Sequence, residues 1–215
     1  MRRTKINFPS DQLSLEGILS IPEGEGPFPA VIICHPHPLY GGSMNNNVIN
    51  SLVETLNQSA LISLKFNFRG VGGSQGRFGQ GTGEQEDVKA AVSFITTVNE
   101  VDSMNIGLVG YSAGAGFAFP VCFNNDRIKA LAAISPPLSI FDFEFFKGCV
   151  KPKFLIAGKS DEFIPSSQFL EFCQELPEPK ECESVAGADH FWWGYESGLA
   201  VKVTDFFARV LYASV

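Results

Sequence analysis

The sequence predicts an α/β protein, with a mostly parallel sheet, helices on both faces and an antiparallel start. Three observations carry this expectation. Short continuous apolar runs recur along the chain ("AVIIC", "LISLKFNF", "NIGLVG", "KALAAIS" and "KFLIAG"), as strands buried on both faces of a sheet require. Longer stretches with helical spacing lie between them. Ahead of the first run, "QLSLEGILSIP" alternates apolar and polar residues, the pattern of a half-exposed antiparallel strand.

The helical stretches follow in order. "NNNVINSLVETLNQSA" puts Val48, Leu52, Leu56 and then Ala60 on one face, with an Asn available to cap its start. "TGEQEDVKAAVSFITTVN" opens acidic, which suits the positive end of a helix, and stripes Val88, Val92 and Ile95. "SSQFLEFCQEL" follows Pro165, "KECESVA" reads as the last strand, and "YESGLAVKVTDFFARVLY" closes the chain. The predicted order is β-β-β-α-β-α-β-α-β-α-β-α. "PEGEGPFP" and "GVGGSQGRFGQGTG" read as loops within a single domain spanning 1–215, not as linkers.

With 215 residues, 45% of them hydrophobic, the chain can bury a sizeable core without disulfides or a structural metal. A net charge of −7 without basic runs argues against a nucleic-acid partner. No run approaches the ~18 apolar residues of a membrane span, and "MRRTKINFPSDQ" has no apolar segment behind its basic start. Five scattered cysteines with no CxxC fit the reduced thiols of a cytoplasmic protein.

Ligands of such sheets gather outside the carboxyl ends of the strands. "CHPHPLYGG", "NFRGVGGSQG", "GYSAG", "GKSDEFIP" and "GADH" all fall there. Taken alone, "GYSAG" reads equally as a tight strand–helix junction or as a nucleophile elbow. In the second reading Gly110 and Gly114 relieve the crowded turn, Ser112 is exposed, the Ala113 N–H faces the reacting carbonyl, and Gly116 lets the helix approach the sheet. A serine needs a base, and imidazole titrates near neutrality. Of the three histidines, His190 lies in a Gly-rich loop after the last strand. Asp161, just past "KFLIAG", is a carboxylate that can orient it, with Glu162 as a rival. Ser112, Asp161 and His190 therefore run in the order Ser…Asp…His, each after a different strand.

Together "HPHPLYGG", "NFRGVGGSQG", "GYSAG", "GKSDEFIP" and "GADHFWWG" resemble the α/β-hydrolase superfamily, over nearly the whole chain. Among its branches they are most similar to small dienelactone-hydrolase-like serine hydrolases. Dienelactone hydrolases proper carry cysteine where this chain has Ser112, a departure that leaves the namesake substrate unassigned. The resemblance implies a second oxyanion donor from the loop after the third strand. Pro36 and Pro38 have no N–H, so His37 is the first donor beyond His35, and the resemblance pairs it with Ala113. It implies no cofactor.

Other readings are plainer. His35 and His37 lack a third ligand at metal spacing, so no metal is expected, and His35 is read as fixing its loop. Arg69 is read as pairing with Glu84 or Asp87 rather than clamping a substrate carboxylate. Between a strand ending near Ser135 and the next, beginning near Lys153, "PPLSIFDFEFFKGCV" is too short for a lid domain and long enough for one small helix. Its phenylalanines either wall an apolar pocket or bury under the sheet edge. The pocket expected is Tyr40, Phe141, Phe143 and Trp192.

The function expected is hydrolysis of a small-molecule carboxylic ester or thioester through an acyl-enzyme. Acyl transfer or peptide cleavage on the same residues, and a non-catalytic binding protein of the same fold, are the alternatives. The sequence carries no sign of oligomeric state.

Overall fold

A computed structural model describes residues 1–122 and 125–213. Its strands are β1 (Arg2–Ser10), β2 (Leu13–Ile21), β3 (Phe28–Cys34), β4 (Ile62–Phe66), β5 (Val101–Tyr111), β6 (Ile128–Ile134), β7 (Lys153–Gly158) and β8 (Lys180–Val185). Its α-helices are α1 (Asn47–Gln58), α2 (Thr82–Ile95), α3 (Ala113–Ala118), α4 (Ser166–Glu175) and α5 (Glu196–Tyr212). The strands form one sheet in the order β1-β2-β4-β3-β5-β6-β7-β8. β1 and β2 run antiparallel to their neighbours, and every pairing from β4 to β8 is parallel.

Every residue of β3, β4 and β7 is buried, which is why these strands read as unbroken apolar runs. The sheet separates two apolar cores. One packs Val88, Ala91, Val92 and Ile95 of α2, Phe117 of α3 and Phe169 of α4 on one face. The other packs Val48, Leu52 and Leu56 of α1 with Leu199, Val203 and Phe207 of α5 on the opposite face. Burying each such side chain contributes about 1.5–3 kcal/mol before the entropy of ordering is counted. Edge strand β8 keeps charged residues outward, and Glu181 and Glu183 pair with Arg209 and Lys202 of α5.

The helix starts follow local chemistry. Asn46 caps α1 by accepting the Val48 N–H at 2.9 Å. The α1 helix ends at Gln58, so Ala60 lies beyond it in a left-handed turn with φ 58°. In α2 the acidic start is Glu84, whose carboxylate accepts from the N–H groups of Gly79 at 2.8 Å and Gly81 at 2.7 Å. Two differences from the sequence expectation appear. Among the described residues there are eight strands, one more than the expected order holds; its three-strand opening is present, with "RRTKINFPS" forming β1 against β2. No α-helix joins β6 to β7. The segment holds one 3₁₀ turn, Glu144–Gly148, where Phe146 stacks on Phe119 at 5.0 Å and is buried.

Strand order reverses at β3, whose neighbours are β4 on one side and β5 on the other. The carboxyl ends of β3 and β5 lie side by side, with Cys34 paired to Gly110. That is the crevice in which a ligand of an open α/β sheet sits.

Candidate active site

Ser112 joins β5 to α3 with no residue between. Its backbone is left-handed, φ 52° and ψ −126°, a conformation that costs roughly 1–3 kcal/mol for a side-chain-bearing residue. The surroundings impose it. The Ser112 N–H donates to the Ile134 carbonyl at 2.8 Å, and its own carbonyl accepts from Ala115 at 2.9 Å. A Cβ at Gly110 would strike the backbone of Ala115, and one at Gly114 would strike the carbonyls of Cys34 and His35. Both glycines are therefore required by the turn, and the start of α3 is held against the end of β3. Gly116 has another role from the one expected. Its missing side chain makes room for the Phe141 ring, not for the sheet.

The structure brings Ser112, His190 and Asp161 together. His190 Nε2 is 3.0 Å from Ser112 Oγ, and Nδ1 is 2.9 Å from Asp161 Oδ2 and 3.1 Å from Oδ1. The Asp161 side chain is fully buried. Its Oδ1 also accepts the N–H groups of Phe163 at 3.0 Å and Ile164 at 3.1 Å, which hold the carboxylate in place. The rival Glu162 is exposed. With Asp161 as acceptor, Nδ1 carries the proton and Nε2 is free to accept one from Ser112.

The loop bearing His190 has two buried anchors. Tyr111 donates its hydroxyl to the His190 carbonyl at 2.7 Å. Burial first, then the nearby Asp161, Asp189 and Glu196, pushes the Tyr111 phenol up, so it stays a donor. The Trp192 indole N–H donates to Ser135 Oγ at 3.1 Å. Ser135 and Trp192 are both left-handed, with φ of 46° and 61°. Sequence reasoning missed Tyr111 and Ser135. The only local sign was that each directly follows or ends a strand at the sheet's carboxyl edge.

The loop after β3 is tight. Pro36 is followed by His37 and a 3₁₀ turn over Pro38–Tyr40, and a Cβ at Gly42 would strike the Pro36 carbonyl. His35 is buried between the Pro36 carbonyl, 2.6 Å from Nδ1, and the Phe68 N–H, which donates to Nε2 at 3.1 Å. It fixes the loop as read from sequence, and burial lowers its pKa to about 4. His37 accepts the Leu39 N–H on its ring at 3.2 Å, and burial lowers its pKa as well. Among the described residues, the backbone N–H groups of His37 and Ala113 donate to no other group of the chain.

The expected pocket needs correction. Trp192 is fully buried in the core beneath α5, since its N–H finds Ser135 and its ring fills the space under the loop. Phe143 is buried against Phe141, Phe145 and Phe172. Phe141 is partly buried on Phe117. Both line a groove of about 290 Å³ beside α4 that includes none of Ser112, Asp161 and His190. Tyr40 is 88% exposed, with its ring 4.8 Å from that of His37. The aromatic rings that stand against His190 include the half-exposed Phe163 and Phe191 and, at 6.0 Å, the buried Tyr111.

Arg69 binds Asp87, its Nη2 at 2.7 Å and its Nε at 3.0 and 3.1 Å, with Asp87 fully buried. Of the two acids expected, Asp87 is the partner and Glu84 caps α2. Among the described residues, no group of three or more His, Cys, Asp or Glu is arranged to hold a metal ion. No helix among them is long and apolar enough to cross a membrane.

Fold and motif order define the class: an α/β hydrolase without a lid domain, with the fold of the serine hydrolases. The chain belongs to the family described as X-Pro dipeptidyl-peptidase (S15 family), whose model matches residues 11–169. That span includes Ser112 and Asp161 and stops before His190. An uncharacterized protein of Rickettsia prowazekii (strain Madrid E) is 34% identical over 190 residues, which is 85% of this chain and 79% of that protein. The chain spans less than half, 46%, of the Escherichia coli (strain K12) relative YcjY, at 24% identity over 63% of this chain. Among solved structures, an α/β serine hydrolase homologue from Coxiella burnetii is 31% identical, with a TM-score of 0.84 over 97% of each chain. A lidless serine hydrolase from Xanthomonas campestris shares the fold, with a TM-score of 0.87 at 24% identity, covering 98% of this chain and 95% of that one.

Proposed function

We propose that the protein is a serine hydrolase that cleaves small-molecule carboxylic esters or thioesters. The observation that carries the reading is the unbroken hydrogen-bond chain from Ser112 Oγ through His190 to Asp161, with links of 3.0 and 2.9 Å. Ser112 Oγ attacks the ester carbonyl while His190 Nε2 takes its proton. Asp161 holds the imidazole tautomer and balances the charge that forms on it. The oxyanion of the tetrahedral intermediate accepts the unpaired N–H groups of Ala113 and His37, and losing one such donor costs about 10²–10³ in rate. The carbon–oxygen bond to the leaving alcohol breaks as His190 returns the proton to that oxygen. Water, deprotonated by the same imidazole, then releases the acid from Ser112.

The strained elbow supports the reading, because a left-handed serine held at a sheet's ligand-binding edge presents its hydroxyl to the crevice. The lidless approach supports small substrates. Five free thiols, four of them buried, fit a cytoplasmic setting. The test is direct: a fluorophosphonate probe labels Ser112, and Ser112→Ala abolishes both labelling and p-nitrophenyl acetate cleavage. A Ser112→Ala protein that cleaves the ester at the parental rate sinks the mechanism. Failure of the parental protein to label revives the non-catalytic binding reading.

The family match favours one second reading, cleavage of a peptide after proline by the same residues. Release of p-nitroaniline from an X-Pro anilide faster than p-nitrophenol from its ester counterpart would favour it over esterase action. Product analysis with competing alcohols separates acyl transfer from hydrolysis.

A further inference from the structure

We infer that the substrate's leaving alcohol is a bulky apolar one, seated in a corner formed by Phe163 and Phe191 beside His190. The inference rests on the serine-hydrolase reading above. In that reaction the group that departs is fixed by proton transfer. His190 Nε2 delivers its proton to the leaving oxygen as the carbon–oxygen bond breaks, so that oxygen lies within hydrogen-bond reach of Nε2. Whatever the oxygen carries must then rest on the His190 side of Ser112, whereas the acyl group points away from the base.

Two half-exposed aromatic rings flank the imidazole. The Phe163 ring centre is 4.9 Å from the imidazole, and the Phe191 ring centre is 5.7 Å from it. The two phenyl rings are 6.2 Å apart and perpendicular, at 90°. They arrive from different loops, after β7 and after β8, and both loops are held. The Phe163 N–H donates to Asp161 Oδ1 at 3.0 Å, and the Phe191 carbonyl accepts from Asn47 Nδ2 at 3.2 Å. Phe163 is 54% exposed and Phe191 49%, and neither belongs to either apolar core.

Core packing therefore does not account for these two rings. Two phenyl groups, each half in water and set at a right angle beside His190, present apolar ring surface to solvent there. A ring-bearing alcohol resting on it buries apolar surface and gains edge-to-face contacts. A methyl or ethyl alcohol covers little of it. Because the leaving group is held while the bond to it breaks, the gain appears in kcat/KM.

The experiment compares benzyl acetate with ethyl acetate, whose acyl groups are identical and whose alcohols are of similar acidity. Benzyl acetate is expected to be the better substrate by about tenfold or more in kcat/KM. The ratio should fall toward one in Phe163→Ala, Phe191→Ala and the double variant, with folding checked by circular dichroism and the nucleophile by fluorophosphonate labelling. Equal kcat/KM for the two esters overturns the inference, and so does a benzyl preference that survives in a folded, labelled double variant. Absence of ester cleavage together with absence of Ser112 labelling overturns the hydrolase reading and this inference with it. Ester cleavage without a benzyl preference overturns this inference alone.

Discussion

The hydroxyl of Tyr111 donates to the main-chain carbonyl of His190 at 2.7 Å, tying the residue before Ser112 to the loop that carries His190. The strand end and the histidine loop are thus one hydrogen-bonded unit, and the distance between Ser112 and His190 depends on it.

Tyr111→Phe removes that bond and little else. A neutral hydrogen bond contributes about 1 kcal/mol, so kcat should fall roughly three- to tenfold with KM nearly unchanged. Steady-state kinetics on p-nitrophenyl acetate check this. A matching drop in the fluorophosphonate labelling rate places the effect on the proposed attack by Ser112 with His190 as base. Unchanged kcat would mean the loop is held without Tyr111.

Trp192 and Ser135 should behave as an energetic pair. Ser135→Ala leaves the buried indole N–H unsatisfied, and Trp192→Phe removes it while opening a small cavity. Each is expected to destabilise by about 1–3 kcal/mol. In urea denaturation the double variant should lose less than the two single losses together. Full additivity would show that the two groups do not interact.

Arg69→Ala distinguishes a structural arginine from a substrate clamp. Asp87 is left as an uncompensated buried carboxylate, so stability should fall by about 3–5 kcal/mol, while KM for an uncharged ester stays put. A large rise in KM at unchanged stability would restore the clamp.

Stability should also decline on mild acidification because of His35. Burial lowers its folded pKa to about 4, against about 6.5 in an unfolded chain. Between those values the unfolded state binds more protons than the folded one, so stability falls as pH drops from 6.5 toward 4. Above 6.5 this contribution is constant. Thermal unfolding from pH 7.5 to 4.5 should show a shallower decline for His35→Asn than for the parental protein. Parallel curves would remove His35 as the cause.

Much of the fold was legible in particular residues. The buried strands β3, β4 and β7 read as apolar runs because both their faces are covered. The stripes Val48–Leu52–Leu56 and Val88–Val92–Ile95 read as helices because each buries one side. The first strand of the expected three-strand opening carried no bounds in the sequence, since most residues of β1 are exposed and leave no continuous apolar run. The helix expected between the last buried strands is a single 3₁₀ turn, because the phenylalanines there turn individually into the core.

By itself the sequence determined the fold class, the strand ends and the order Ser112, Asp161, His190. Periodicity, chain order and the glycine requirement of a tight turn are properties of short segments. Tertiary structure alone decided that Ser112 and His190 meet at 3.0 Å, that Asp161 rather than Glu162 faces inward, and that Trp192 leaves the expected pocket for Ser135. It also exposed Phe163 and Phe191 beside His190. An aromatic residue has the same chemistry in a core or a pocket, and its place depends on what packs against it from distant parts of the chain. For Trp192 that partner lies 57 residues earlier, beyond the reach of any local pattern.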